Sequence, residues 1–133
     1  CYDKGEEVPP SYQQAFYYYK LAADQGHIRA QLCTAFSYQY GEGVEPSDQA
    51  AFHYYQLAAD QGDSLAQAYL GKLYAEGKGT QQSDEKAFYY YQLAAEQGEP
   101  VALEYLIEAY EKGLGVAPSK EQATFYARKR IDI

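Results

Sequence analysis

The chain repeats itself with a period of 36 residues. Three segments are nearly identical: AFYYYKLAADQG at 15–26, AFHYYQLAADQG at 51–62 and AFYYYQLAAEQG at 87–98. Glycine, serine and tyrosine positions elsewhere keep the same step, and no insertion or deletion breaks the register. Periods of roughly 20 to 50 residues are typical of proteins that stack one supersecondary unit many times.

Each period carries the start and stop signals of two helices. The first, helix A, is predicted over about 64–76 in the middle copy, with Asp63 as its N-cap and a G-K-G turn at its end. The second, helix B, begins after the N-cap Ser83 and runs to about Gln97, with Gly98 just beyond it. No segment has the pattern of a strand. One such hairpin cannot bury its apolar faces alone, so the copies are predicted to stack into an all-α solenoid.

The chain is acidic and rich in tyrosine. Its 133 residues have a formal net charge of −8 and include 17 tyrosines. Nucleic-acid binding needs a basic patch, and anionic lipid repels an acidic surface, so neither partner is expected. No apolar run is long enough for membrane insertion. A protein or peptide partner is compatible with this charge, and so is a role of the charge in solubility alone. The sequence does not indicate the cellular compartment.

The repeat resembles the Sel1-like repeat, a relative of the tetratricopeptide repeat. That family shows A-x-x-x-L-G-x-x-Y-x-x-G-x-G-V followed by D-x-x-K-A-x-x-[WY]-Y-x-x-A-A-x-x-G. The middle copy matches at Ala66, Leu70, Gly71, Tyr74, Gly77, Gly79, Asp84, Ala87, Tyr90, Tyr91, Ala94, Ala95 and Gly98. The resemblance implies a right-handed alpha-alpha superhelix of 36-residue helix-turn-helix repeats, with helix A on the concave side and helix B on the convex side. It also implies a module that binds other proteins.

The resemblance covers essentially the whole chain. It divides the chain into a partial repeat at 1–26, repeats at 27–62 and 63–98, and a terminal repeat with a degenerate cap at 99–133. Because the chain opens within a repeat, we expect further repeats upstream in the native protein.

Three positions depart from the family pattern. Glu7 replaces the second loop glycine of the first copy. Ala35 and Ile107 replace the helix A glycine of the outer copies. A larger side chain at these two sites predicts helix pairs that lie slightly further apart.

Helix A contains positions that are the same in every copy and positions that vary. Alanine at 30, 66 and 102 and tyrosine at 38, 74 and 110 do not vary and are expected in the core. The varying positions are spaced so that they share one side of the helix, which we call the concave stripe. The stripe comprises Arg29, Leu32, Phe36, Gln39, Leu65, Ala68, Lys72, Ala75, Val101, Glu104, Glu108 and Glu111. We expect it to line a groove that binds a partner, and simple solvation is the alternative.

The concave stripe changes character along the chain. Leu32 and Phe36 are expected to form an exposed apolar pair. An exposed apolar pair indicates a surface that a partner covers. The last copy carries Glu104, Glu108 and Glu111. The pair of Glu108 and Glu111 is better explained as part of a charged face than as a catalytic dyad. An apolar pocket beside an acidic stretch fits a peptide or helix with a hydrophobic anchor followed by basic residues.

Helix B is predicted to bury the side that contains Ala51, Tyr55 and Ala58. The opposite side carries an outward column of rings: Tyr17, His53, Tyr89 and Phe125. Packing of these rings on one another is favoured over a second binding surface.

The sequence contains no pattern for catalysis, a metal or a cofactor. His27 and His53 have no Cys or carboxylate at metal-ligand spacing, so neither a metal site nor a cofactor is expected. Cys33 occupies the column of two tyrosines and is expected to be a packed thiol. A disulfide with Cys1 would strain the usual limit of about 7 Å between Cα atoms.

Four functions remain open at this point. The first is an adaptor or scaffold, and the second is a dedicated inhibitor or immunity-type protein that uses the same surface. The third is a structural spacer. The fourth is a β-lactam-binding relative, but those proteins carry a cysteine pair in each repeat and this chain does not.

Overall fold

The computed structural model describes residues 12–132, which form seven α-helices joined by short turns. Their bounds are Tyr12–Asp24 (α1), Ile28–Tyr40 (α2), Asp48–Asp60 (α3), Ser64–Glu76 (α4), Asp84–Glu96 (α5), Pro100–Lys112 (α6) and Lys120–Asp132 (α7). The even-numbered helices are A helices and the odd-numbered ones are B helices. The bounds predicted for the middle copy agree with α4 and α5 to within one residue. This part of the chain contains no strand, so the predicted all-α repeat solenoid is confirmed.

The helices begin and end where the sequence places their caps. The Asp63 carboxylate accepts a hydrogen bond from the backbone N–H of Ala66 at 2.8 Å. The Ser83 hydroxyl accepts one from the backbone N–H of Lys86 at 3.2 Å. Each contact satisfies one of the backbone donors that a helix N-terminus leaves without a partner.

The helices pack mainly against their neighbours in sequence, alternating A with B. Among like helices of consecutive repeats, α4 also packs against α6. Both are A helices. Close approach of A helices is the arrangement expected when they lie on the inner side of a curved stack.

The invariant alanines of helix A lie in the core, as the sequence predicts. Ala66 and Ala102 are completely buried and Ala30 is nearly so. The small side chain lets neighbouring helices approach, and Leu70 and Leu106 of the same helices are completely buried as well. The equivalent position in the first copy is Thr34, which is equally buried.

The second glycine of the loop after helix A is required because the backbone of another helix lies against it. Gly79 lies against the backbone of Asp48 in the first turn of α3, and Gly115 lies in the same way against Asp84 in α5. A Cβ at either glycine would overlap the carbonyl oxygen it faces. Both also have positive φ, +75° and +74°, which side chains rarely adopt. The equivalent departure at Glu7 lies outside the described residues.

The invariant tyrosine of helix A fills the gap between two B helices. The ring of Tyr38 meets Phe16 of α1 edge-on at 5.1 Å and stacks on Tyr54 of α3 at 5.9 Å. The same pair of contacts recurs around the two later tyrosines of this column, Tyr74 and Tyr110. These rings therefore join each repeat to the next.

The outward column of helix B is exposed, but its rings do not form the expected ladder. Tyr17 and Tyr89 are 58% and 56% exposed, and Phe125 is 50% exposed. Each ring of the column, including that of His53, meets the ring of the next residue in sequence edge-on, with centroids 5.0–5.3 Å apart. The expectation that the column's rings pack on one another is wrong, because the preferred edge-on contact is available within the same helix.

The expectation for Cys33 is also wrong. Its side chain is buried, as expected, but its sulfur is in a disulfide bond rather than a free thiol. The only other cysteine in the sequence is Cys1, which lies outside the described residues.

Candidate protein-binding face

The structure divides the predicted concave stripe into exposed and buried residues. Leu32 is only 8% exposed and Ala68 is completely buried, and both belong to the continuous hydrophobic core. The expectation that Leu32 faces solvent is therefore wrong, because this edge of helix A packs into the core. The exposed members are Arg29, Glu104, Glu108 and Glu111, and the half-buried ones are Phe36, Gln39, Leu65, Lys72, Ala75 and Val101.

Phe36 is held in place by three other rings. It meets Tyr55 edge-on at 5.8 Å and Tyr69 edge-on at 5.1 Å. Tyr55 is completely buried and donates a hydrogen bond from its hydroxyl to Oε1 of Gln39 at 2.7 Å. The third ring, Tyr40, stacks on Phe36 at 6.1 Å and remains 61% exposed. Phe36 is thus a half-buried support for the exposed ring of Tyr40.

Lys72 lies on α4 beside tyrosines from two other A helices. The pKa of Lys72 is raised, and the largest cause is its electrostatic interaction with Tyr105. Burial lowers this pKa, whereas Glu76 and Tyr40 raise it further. The ammonium group therefore stays charged at neutral pH.

The three tyrosines of this region are close enough to influence one another. Burial raises the pKa of Tyr69, and Tyr105 and Tyr40 raise it further. Tyr105 in turn packs on the ring of Tyr91 at 5.0 Å. We refer to Tyr40, Tyr69, Lys72 and Tyr105 as the tyrosine–lysine cluster. Its members lie on α2, α4 and α6.

Sequence reasoning included Lys72 in the concave stripe but missed the tyrosines of this cluster. Their positions vary between copies, as those of the concave stripe do. The position of Tyr69 and Tyr105 is occupied by Cys33 in the earlier copy, and the position of Tyr40 is occupied by Glu76 and Lys112 in the later copies. That variation between copies is the sequence signal for a surface position. Aromatic residues at equivalent positions are, however, equally typical of a core.

The last copy presents carboxylates in place of rings. Glu104, Glu108 and Glu111 are all exposed on α6. Lys112 pairs with Glu108, with Nζ 2.8 Å from Oε2, and so offsets part of this charge. The face therefore runs from aromatic at α2 to acidic at α6.

Among residues 12–132, no group of three or more His, Cys, Asp or Glu side chains is placed to hold a metal ion. None of the helices described combines the length and the apolar character needed to cross a bilayer.

Comparison with known proteins identifies the repeat. The family model of the Sel1 repeat matches residues 1–27, 29–63, 64–99 and 101–129. A Sel1 repeat protein from Oxalobacter formigenes superposes with a TM-score of 0.89 at 32% identity, over 96% of this chain and 37% of that one. No curated protein matches the chain.

Two further solved structures share the fold. A protective antigen present in uropathogenic Escherichia coli strains, which displays an SLR fold, gives a TM-score of 0.91 at 34% identity, over 96% of this chain and 27% of that one. Helicobacter pylori cysteine rich protein B gives a TM-score of 0.72 at 22% identity, over 96% of this chain and 92% of that one. The chain thus spans well under two thirds of the length of the first two structures.

Sel1 repeat proteins generally mediate protein–protein interactions and are typically not catalytic. With the family's repeat matched along nearly all of its length, this chain belongs to the Sel1 repeat family.

Proposed function

We propose that the chain is an adaptor or scaffold module that binds a polypeptide segment of a partner along the exposed side of α2, α4 and α6. The observation that carries this proposal is the exposed ring of Tyr40, stacked on Phe36. A ring that is fixed in position loses little conformational freedom on binding, and covering it removes apolar surface from water. Tyr40 is therefore the proposed contact for a hydrophobic anchor of the partner.

The charge of the face supports a partner with basic residues beyond its anchor. Glu104, Glu108 and Glu111 follow the aromatic region in the order of the helices, and the whole chain carries a net charge of −8. Exposed charges of this kind steer association and set the orientation of a partner. Because they are screened by salt, binding is expected to weaken as ionic strength rises.

The test compares one ring on each side of the solenoid. A random-peptide display library is panned against the intact chain, and the selected peptides are titrated against Tyr40→Asp and Tyr89→Asp. Tyr89 is a matched control because it is 56% exposed on the outer side of α5. We expect Tyr40→Asp to weaken binding at least about tenfold and Tyr89→Asp to leave it unchanged. Equal effects of the two substitutions, or no peptide that depends on Tyr40, would contradict the proposal.

Two positions of the concave stripe are unsuitable for this test. Leu32 is buried in the core, and an aspartate there would leave an unpaired charge that threatens the fold. Phe36 supports Tyr55 and Tyr69, so its loss would disturb packing as well as binding.

A further inference from the structure

The last B helix, α7, lacks two rings that the other B helices carry. Ala127 stands where α1, α3 and α5 have a tyrosine, and Thr124 stands where they have a phenylalanine. Both residues line a cavity of about 370 Å³ between α6 and α7. A cavity of about 150 Å³ is enough to hold benzene. The space beside these two small side chains is therefore large enough for an aromatic ring.

The tyrosine that Ala127 replaces packs between two A helices in the earlier copies. The ring of Tyr91 lies against Gly71 of α4 and packs on Tyr105 of α6, with centroids 5.0 Å apart. Tyr55 is completely buried at the equivalent position, and its ring lies 5.6 Å from that of Tyr69 on α4. This place in the repeat is thus one that accommodates an aromatic side chain.

The wall that α6 contributes to the cavity differs from that of α4. Ile107 occupies the position of Gly71 and is 9% exposed. A Cβ at Gly71 would lie 2.7 Å from Cε1 of Tyr91, so a ring beside Ile107 cannot take the same position as the ring of Tyr91. It would lie against the isoleucine side chain instead, in the space beside Ala127 and Thr124. This contact would remove apolar surface of both side chains from water.

Glu111 adds a hydrogen-bond acceptor to the lining of the cavity. It occupies the position of Gln39, whose Oε1 accepts a hydrogen bond from the hydroxyl of Tyr55 at 2.7 Å. An ionised carboxylate accepts hydrogen bonds and donates none, and bonds to a charged acceptor are stronger than those to a neutral one. The lining of this cavity therefore favours a ring with a hydroxyl over the ring of phenylalanine.

We propose that the cavity between α6 and α7 binds a tyrosine side chain of a partner polypeptide. The ring would lie against Ile107, and its hydroxyl would donate a hydrogen bond to the carboxylate of Glu111. Lys120 also lines the cavity, and an ammonium group is attracted to the face of an aromatic ring. The site does not include Tyr40, so it goes beyond the proposed function and does not depend on it.

The test uses two uncharged probes, N-acetyltyrosinamide and N-acetylphenylalaninamide. Each is titrated against the intact chain while backbone amide NMR spectra are recorded. We expect saturable shifts for Ile107, Thr124 and Ala127, and binding of the tyrosine probe about tenfold tighter than that of the phenylalanine probe. Equal binding of the two probes, or shifts concentrated away from α6 and α7, would overturn the proposal. Tighter binding of free tyrosine than of its capped amide would overturn the assignment to a polypeptide.

Two substitutions of Glu111 test the acceptor. Glu111 is exposed, so neither change threatens the fold. We expect Glu111→Leu to weaken binding of the tyrosine probe about tenfold, to the level of the phenylalanine probe. Glu111→Gln should keep most of the affinity, because glutamine serves as the acceptor at position 39. Equal affinity of the two variants would contradict the hydrogen bond.

A substitution of Ala127 tests the cavity itself. The larger side chain of Ala127→Leu would occupy the space, so we expect it to weaken binding of the tyrosine probe at least about tenfold. Arg128→Leu, at the exposed neighbouring residue outside the lining, should leave binding unchanged. Circular dichroism checks folding, and the Glu111 variants decide the question if Ala127→Leu does not fold. Self-association of the chain that Ala127→Leu abolishes would identify a second copy as the occupant and overturn the proposal.

Discussion

Gln61 donates a hydrogen bond from its side-chain amide to Oε1 of Gln31, at 2.8 Å across the repeat. Gln31 in turn donates to the backbone carbonyl of Ala23 in the preceding repeat, at 3.1 Å. The same chain of contacts recurs one repeat later among Gln97, Gln67 and Ala59. These amides connect successive repeats by a route that the tyrosine column does not use.

The first prediction concerns this amide chain. Gln67 is 6% exposed and takes part in both contacts of its repeat, so Gln67→Leu removes two hydrogen bonds. We expect the free energy of unfolding, measured by urea denaturation, to fall by about 1–2 kcal/mol. The exposed Gln81 provides the control, and Gln81→Leu should change stability by less than about 0.5 kcal/mol. Equal stability of the two variants would show that the chain of amides contributes nothing.

The second prediction separates a steric clash from backbone strain. Gly79 and Gly62 both have positive φ, but only at Gly79 would a Cβ meet backbone atoms, those of Asp48 and Gln49. We expect Gly62→Ala to lose about 1 kcal/mol from strain alone, and Gly79→Ala to lose distinctly more, measured as urea midpoints. Similar losses of stability at the two sites would mean that the clash of the added Cβ with the backbone of α3 costs no stability.

The third prediction is a stabilising substitution. Thr34 is completely buried, and its hydroxyl has no hydrogen-bond partner among the described residues. Leucine occupies the same position in the two later copies, at 70 and 106. Thr34→Val removes the unsatisfied hydroxyl at similar volume, so we expect stability to rise by up to about 1–2 kcal/mol. The exposed Thr124→Val is the control, and a clear loss of thermal stability in Thr34→Val alone would contradict the prediction.

The fourth prediction concerns alkaline pH. Burial raises the pKa of Tyr55 and of Tyr91 well above that of a free tyrosine. The unfolded chain releases these protons near pH 10 while the folded chain retains them, so the stability from these groups is complete below pH 10 and is lost as pH rises above it. We expect the melting temperature to fall steeply above about pH 10.

Phenolate absorbance and two variants check this assignment. The buried tyrosines should ionise only as the chain unfolds. Tyr91→Phe should reduce the alkaline loss of melting temperature, whereas the exposed Tyr17→Phe should not. An unchanged melting temperature between pH 9 and 11 would contradict the prediction.

The sequence predicted the helices more fully than it predicted the face. Asp63 and Ser83 mark helix starts because their side chains bond the first turn locally, so no knowledge of the packing is needed. The exposure of a variable position depends instead on what covers it. Leu32 varies between copies and yet is buried, whereas Tyr40 and Tyr69 are aromatic and yet reach the surface. Those differences arise from the stacking of repeats, which one copy of the pattern does not contain.

The central claim is that a partner binds across the A helices, and the position of a bound peptide tests it most directly. Backbone amide NMR spectra are recorded for the intact chain as a selected peptide is added. We predict the largest shifts on α2, α4 and α6, around Tyr40, Lys72 and Glu104. Amides around the outward rings, such as those of Tyr89 and Phe125, should remain unchanged. Shifts concentrated on the B helices, with α2 and α4 unaffected, would contradict the account.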